Sequence, residues 1–145
     1  MLVSMKGDYG VRALIELALH YGEGPIQSAV IASRQSIPEP YLDQLLTSLR
    51  RAGLIRSIRG PQGGHALVRP PAEVHLSEAL IALEGSLAPI SCLDDPAGCT
   101  RPVGCGLREV WEQVHGATLA ILDGITIADL AEKERASAGA ARYAI

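Results

Sequence analysis

Along the first twenty positions, Val11, Leu14, Ile15, Ala18 and Leu19 recur at helical spacing over residues 8–20, and Gly22, Gly24 and Pro25 close the run. The pattern predicts an amphipathic helix. A second short helical segment is expected over 26–33, and Ser36 followed by Pro38 offers an N-cap region and an early-turn proline for a third. In that third helix Leu42, Leu45, Leu46 and Leu49 form one stripe, leaving Glu39, Asp43, Gln44, Thr47, Ser48 and Arg51 on or near the other face. Gly53 supplies the stop. The run LIRSIRGPQGGHALVRP then places two β-prone stretches around Gly60, Pro61, Gln62, Gly63 and Gly64, the composition of a β-hairpin.

Pro70 and Pro71 mark a boundary, after which Leu76 to Leu83 predict a helix with Ser77 or a neighbour near its cap. Residues 84–106 hold prolines, glycines and every cysteine of the chain, and predict an irregular loop. Helical spacing returns with Leu107, Trp111, Val114, Thr118, Ile121 and Ile125. A stripe of period 3.5 this long suits a second helix, either its copy in another subunit or a helix of its own lobe. Thr126 with Asp129 reads as a capping box opening a short last helix, and the Ala-rich end from Ser137 is expected to fray. The fold class is mainly α with a small β-hairpin: a winged helix-turn-helix plus a long C-terminal dimerisation helix. The expected organisation is a winged helix-turn-helix over 1–71, a connecting helix over 72–88, a cysteine loop over 89–106, a dimerisation helix and short terminal helix over 107–136, and a flexible tail over 137–145.

The 145 residues suffice for one core or two small lobes, and at 48% hydrophobic and 20% charged they exclude a mostly disordered or collagen-like chain. No stretch has the length and apolarity of a membrane span and the start lacks a secretion signal, so a cytoplasmic protein without membrane contact is expected. A formal charge of −3 argues against a nucleic-acid partner until its distribution is read. Residues 34–69 carry six arginines against two acidic residues, net +4, whereas residues 70–145 are net −6. Such segregation fits either a polyanion-facing surface or a merely solvated basic face. Because the arginines flank a third helix and hairpin, the architecture favours double-stranded DNA. No nucleophile elbow, phosphate-binding loop, zinc-hydrolase motif or catalytic dyad is present, so neither an enzyme nor a small-molecule substrate is expected.

Cys92, Cys99 and Cys105 gather three thiols into fourteen residues with spacing Cys-x6-Cys-x5-Cys. An odd count in a reducing compartment argues against a disulfide framework. Soft thiolates favour an iron-sulfur cluster, with a zinc clip or three unrelated cysteines as alternatives; the tight C-x2-C pairs of common structural zinc sites are absent. Three thiolates leave a fourth position to another ligand.

Together MLVSMKGDYGVRALIELA at the start, PEPYLDQLLTSLRRAGLIRSIRGPQGGHAL in the middle, the three cysteines and TIADL after the long helix resemble the Rrf-type (BadM, IscR/NsrR) family of bacterial winged-helix regulators, nearly end to end. The resemblance implies a homodimeric transcription factor, expected to be a repressor, whose operator affinity is set by a 2Fe-2S or 4Fe-4S cluster sensing iron, redox state or nitric oxide. It implies Tyr41, Asp43 and Gln44 as groove-facing residues, Arg59 on the wing, and Arg50, Arg51 and Arg56 as phosphate contacts. Tyr41 is equally compatible with a core position. The cluster ligands implied are Cys92, Cys99 and Cys105. In IscR-like members a histidine three residues after the last cysteine completes a 2Fe-2S site, and this chain has Arg108 there. In NsrR-like members the fourth ligand resembles an acidic residue near the start of the first helix of the other subunit, where Asp8 stands; an N-cap role for Asp8 is the alternative. His115 reads as an interface or surface residue. Two other functions stay open: a winged-helix regulator without a cluster, as in family members that sense sulfur status through partner enzymes, and a non-regulatory iron-sulfur carrier.

Overall fold

Ser4 opens the first helix, α1 (Met5–Leu19), by accepting the Lys6 amide on its hydroxyl, in a computed structural model that describes residues 3–100 and 104–143. Asp8 is therefore not an N-cap; it lies within the helix and pairs with Arg12 one turn on, at 2.8 Å. Helices α2 (Ser28–Gln35) and α3 (Glu39–Arg51) follow, joined by a tight turn. Ser36 takes the left-handed conformation at φ 55° and closes α2, with the Ile37 amide returning to the Ala32 carbonyl, so it ends one helix rather than starting the next. The N-cap of α3 is Pro38, and Pro40 sits in the first turn, where a missing amide costs nothing.

Strands β1 (Ile55–Ile58) and β2 (Gly64–Leu67) pair antiparallel, Ile55 with Leu67 and Ser57 with His65. A Cβ on Gly63 would overlap the Ile58 carbonyl, and one on Gly64 would overlap the Ile26 backbone. The glycines thus let the hairpin close and lie against the linker ahead of α2, where Ile26 and His65 exchange two main-chain hydrogen bonds of 2.9 and 2.8 Å. Arg69 leaves the hairpin paired with Glu78 at 2.9 Å, in the first turn of α4 (Leu76–Glu84).

Leu14, Ile31, Leu42, Leu46, Leu49, Ile55, Val74 and Ile127 are almost fully buried and belong to one core, formed by α1 to α4, the hairpin and the last helix. α4 crosses α1 at Gly7 and Gly10, where added Cβ atoms would strike the Glu84 and Leu83 side chains. Its last residue, Glu84, takes the Ser4 amide, the Ser4 hydroxyl and the Gly7 amide on one carboxylate oxygen.

Past two short 3-10 turns, Ser91–Leu93 and Pro96–Gly98, comes the long α5 (Gly106–Asp123), and then α6 (Ile127–Tyr143). Thr126 and Asp129 form the expected reciprocal capping box, with bonds of 2.9 and 3.1 Å. The chain between α5 and α6 docks beside the start of α4 through Leu76 to Ile125 (2.8 Å) and Ile127 to Val74 (2.9 Å). α6 then packs on α1, burying Ile127 and Ala131, and Arg135 donates to the Leu19 carbonyl at the end of α1. This differs from a short helix grouped with α5 and a fraying tail. Helix continues to Tyr143 because the run is rich in alanine, the best helix former; positions 144 and 145 of that tail lie outside the described residues. α5 contains no buried residue, and Leu107, Val110, Val114 and Ile121 are all exposed.

Candidate nucleic-acid interface and cysteine loop

Burial of four leucines fixes which way α3 faces. At 3.6 residues per turn, Thr47, Arg51 and Gln44 stand opposite the Leu42, Leu45, Leu46 and Leu49 stripe, with Asp43 and Arg50 at one margin and Tyr41 at the other. Arg59 is exposed on the hairpin turn, and Asp43, Gln44, Arg50 and Arg51 are exposed on α3, giving that helix an open surface. Thr47 and Ser48 also lie on it, but their hydroxyls donate back to the Asp43 and Gln44 carbonyls at 2.9 and 3.3 Å. Tyr41 is half-buried: its ring meets Tyr9 of α1 edge-on at 5.9 Å, and the Arg12 guanidinium lies over Tyr9.

Two positively charged side chains of this region turn different ways. Arg50 donates to the Ser57 hydroxyl at 3.1 Å, tying α3 to the hairpin. Arg56 is on the opposite face of β1 and lines a cleft of about 410 Å³ with His20, Tyr21 and Gly22 at the end of α1. His65 stands across from Ser57, its Nδ1 at 3.3 Å from the hydroxyl. Burial, reinforced by the charge of Arg50 and opposed by Asp43, pushes the His65 imidazole below its ordinary pKa. His65 is a candidate that sequence reasoning missed; it sits in a hairpin run where nothing but the fold brings Arg50 and Ser57 to it.

A buried carboxyl group lies between α1 and α2, behind the helix-turn-helix. Glu16 is 5% exposed in α1, with His20 Nε2 at 3.3 Å and Arg34 of α2 at 3.7 Å, and Gln35 donates to it at 3.4 Å. The apolar stripe of α1 hid this residue, because an acid at a buried position is legible only once its partners are placed.

Cys92, Cys99 and Cys105 are each half-buried and line one cavity of about 550 Å³, together with Ile90, Leu107, Arg108 and Trp111. Cys92 comes from the first 3-10 turn, Cys99 follows the second, and Cys105 is the N-cap of α5. Arg108 pairs with Glu112 at 3.0 Å on the cavity wall. Among the described residues no three Cys, His, Asp or Glu side chains converge as they would on a single metal ion. Asp8 of the same chain does not line this cavity; its partner is Arg12. His115 lies farther along α5, half-buried, and its Nδ1 is buried without a hydrogen bond.

Comparison with known proteins places this geometry. Residues 3–133 match the family model Rrf2, described as an iron-dependent transcriptional regulator. The chain is 36% identical over 130 residues to the HTH-type transcriptional regulator IscR of Aliivibrio salmonicida, covering 90% of this chain and 77% of that protein. Its structure is similar to that of CymR (YrzC), the global cysteine regulator of B. subtilis, with a TM-score of 0.76 and 38% identity over 92% of this chain and 98% of the other. It is equally similar to IscR of T. potens, with a TM-score of 0.76 and 40% identity over 92% and 88% of the two chains. Among the described residues no helix is long and apolar enough to cross a membrane. With a family match over most of its length and an open third-helix surface beside an arginine-bearing wing, the chain belongs to the Rrf2 family and is a DNA-binding transcriptional regulator, not an enzyme.

Proposed function

We propose that the protein is a homodimeric repressor whose grip on a pseudo-palindromic operator is set by an iron-sulfur cluster seated on Cys92, Cys99 and Cys105. The observation that carries the sensing part is the single cavity lined by all three thiols at the root of α5. Its roughly 550 Å³ would leave room for a cluster, and soft thiolates are the ligands that such a group takes. When bound, such a group supplies a redox-active and chemically labile centre. The three cysteines would hold it, Arg108 and Trp111 would form its wall, and Asp8 of the partner subunit is the proposed fourth ligand.

On the DNA side, α3 enters the major groove. Gln44 pairs with adenine and Asp43 accepts from the amino group of cytosine. Arg59 enters the flanking minor groove, and Arg50 and Arg51 meet phosphates. Tyr41 supports α3 from Tyr9 at its margin. The exposed α5 stripe of Leu107, Val110, Val114 and Ile121 pairs with the same stripe of a second copy.

Anaerobic reconstitution with iron and sulfide tests the reading. Visible absorbance, retained iron and sulfide, quenching of Trp111 and different operator footprints for loaded and emptied protein are expected; the absorbance distinguishes 2Fe-2S from 4Fe-4S, and Cys→Ala variants lose all four signals. A second reading, a regulator that works through these thiols or a partner without a cluster, is favoured by the lack of convergence on one metal and by similarity to a protein named for cysteine regulation. It predicts no retained iron and superimposable footprints.

A further inference from the structure

The parts of a winged helix that touch DNA are separate elements, and something must hold them at one spacing. In this protein that junction is His65. Its main chain exchanges two hydrogen bonds with Ile26, one residue ahead of the Gln27 N-cap of α2. Its side chain meets Ser57 across the hairpin, and Ser57 in turn meets Arg50 in the last turn of α3. Gly64, whose φ of 151° and lack of a side chain bring β2 onto the Ile26 backbone, seats the residue there.

We propose that His65 is the positioning residue that sets the wing against the third helix, through a directed chain in which Arg50 donates to Ser57 and Ser57 donates to the neutral His65 ring. Chemistry fixes the first link: a guanidinium only donates, so the Ser57 oxygen accepts from Arg50. The second link, as proposed, gives the Ser57 proton to His65 Nδ1, with the ring proton on Nε2. Nδ1 accepts only while the imidazole is neutral with its proton on Nε2. A second proton places a donor where the acceptor stood and a positive charge beside Arg50. The other charged group acting on the ring is Asp43 of α3, which favours the protonated form; Arg56 and His20 line the cleft that His65 also lines. Burial and Arg50 outweigh Asp43, so the fold disfavours the doubly protonated ring. The residue touches the wing and α3 rather than being asked to read a base, and its effect on DNA is indirect, through where Arg59 is presented.

This inference rests on the placement of α3 and the wing against DNA, and the test separates the two. Hydrogen exchange of the Ile26 and His65 amides in the DNA-free protein reads the clamp; operator affinity and minor-groove protection read the contact. His65→Leu, which keeps bulk and removes the acceptor, speeds exchange at both amides and weakens operator binding about tenfold, the scale of one hydrogen bond. Ser57→Ala does the same, and the double variant adds little. His65→Asn, whose side-chain oxygen accepts without titrating, restores both readouts and abolishes the loosening of the wing that the wild type shows as pH falls below about 6.5. Wild-type exchange and affinity in His65→Leu and Ser57→Ala overturn the clamp, as does an acid loosening that persists in His65→Asn. Faster exchange with an unchanged footprint instead overturns the assignment of the wing to DNA.

Discussion

Glu84 illustrates how much one carboxylate does here. It lies at the end of α4, yet its oxygen receives two amides and a hydroxyl from the start of α1. The Ser4 hydroxyl, reinforced by the Ser4 and Gly7 amides, holds its pKa below the ordinary range. A group whose pKa is lower folded than unfolded contributes stability above its unfolded pKa, which is lost as pH falls through the folded value. Glu84→Gln therefore flattens the acid side of the stability profile below about pH 4.5, and Glu84→Ala costs about 1 kcal/mol at neutral pH, read by urea titration. The arginines are tested by salt. Arg51→Ala or Arg59→Ala lowers the slope of log affinity against log salt by about 0.9 per contact, or about 1.8 in a dimer. Arg56→Ala, on the other hairpin face, leaves the slope unchanged. An equal effect of all three arginines would mean that DNA wraps the wing on both sides.

At the scale of elements, the crossing of α1 and α4 depends on two glycines that the hydrophobic pattern does not single out. A Cβ at Gly10 overlaps Leu83, so Gly10→Ala destabilises by about 1 to 3 kcal/mol, and Leu83→Ala in the same chain returns part of that loss by making room. Thermal or urea unfolding of the two single variants and the pair measures the coupling; additive losses would show that the two do not share the contact. The helices themselves were legible from local signals: leucine spacing for α3, the Thr126 and Asp129 box for α6, the glycine-rich turn for the hairpin. Ser36 was misread because N-cap and C-cap positions in a short turn favour overlapping residue types, and only the φ of 55° separates them. The length and destination of α6 were not legible, since an alanine run continues a helix without declaring what it packs on.

For the molecule as a whole, α5 is the element out of balance. This 18-residue helix has no fully buried residue and leaves an apolar stripe of Leu107, Val110, Val114 and Ile121 exposed. Ile121, 65% exposed, is the most open of its large apolar residues. Ile121→Glu shifts the protein to monomers by light scattering and weakens operator binding at least tenfold, because one lobe holds half the contacts. Dimers that persist in that variant would mean that the stripe faces something else. The junction of α5 with α4, through Ile125, Thr126 and the His75 Nδ1 contact to the Asp123 carbonyl at 2.9 Å, ties the cysteine cavity's helix to the DNA-binding lobe.

Hydrophobic spacing, caps and turn residues are properties of neighbours along the chain, and by themselves they determined the succession of helices, the hairpin, the basic segment beside it and the clustering of three thiols. Contacts between distant residues are not written in any local pattern. Tertiary structure alone decided that Glu84 holds α1, that α6 returns to the core, that Arg56 and Arg50 face apart, and that His65 meets Ser57. It also decided that three cysteines from separate turns border one cavity, because in each case the partners approach only when the core beneath them closes.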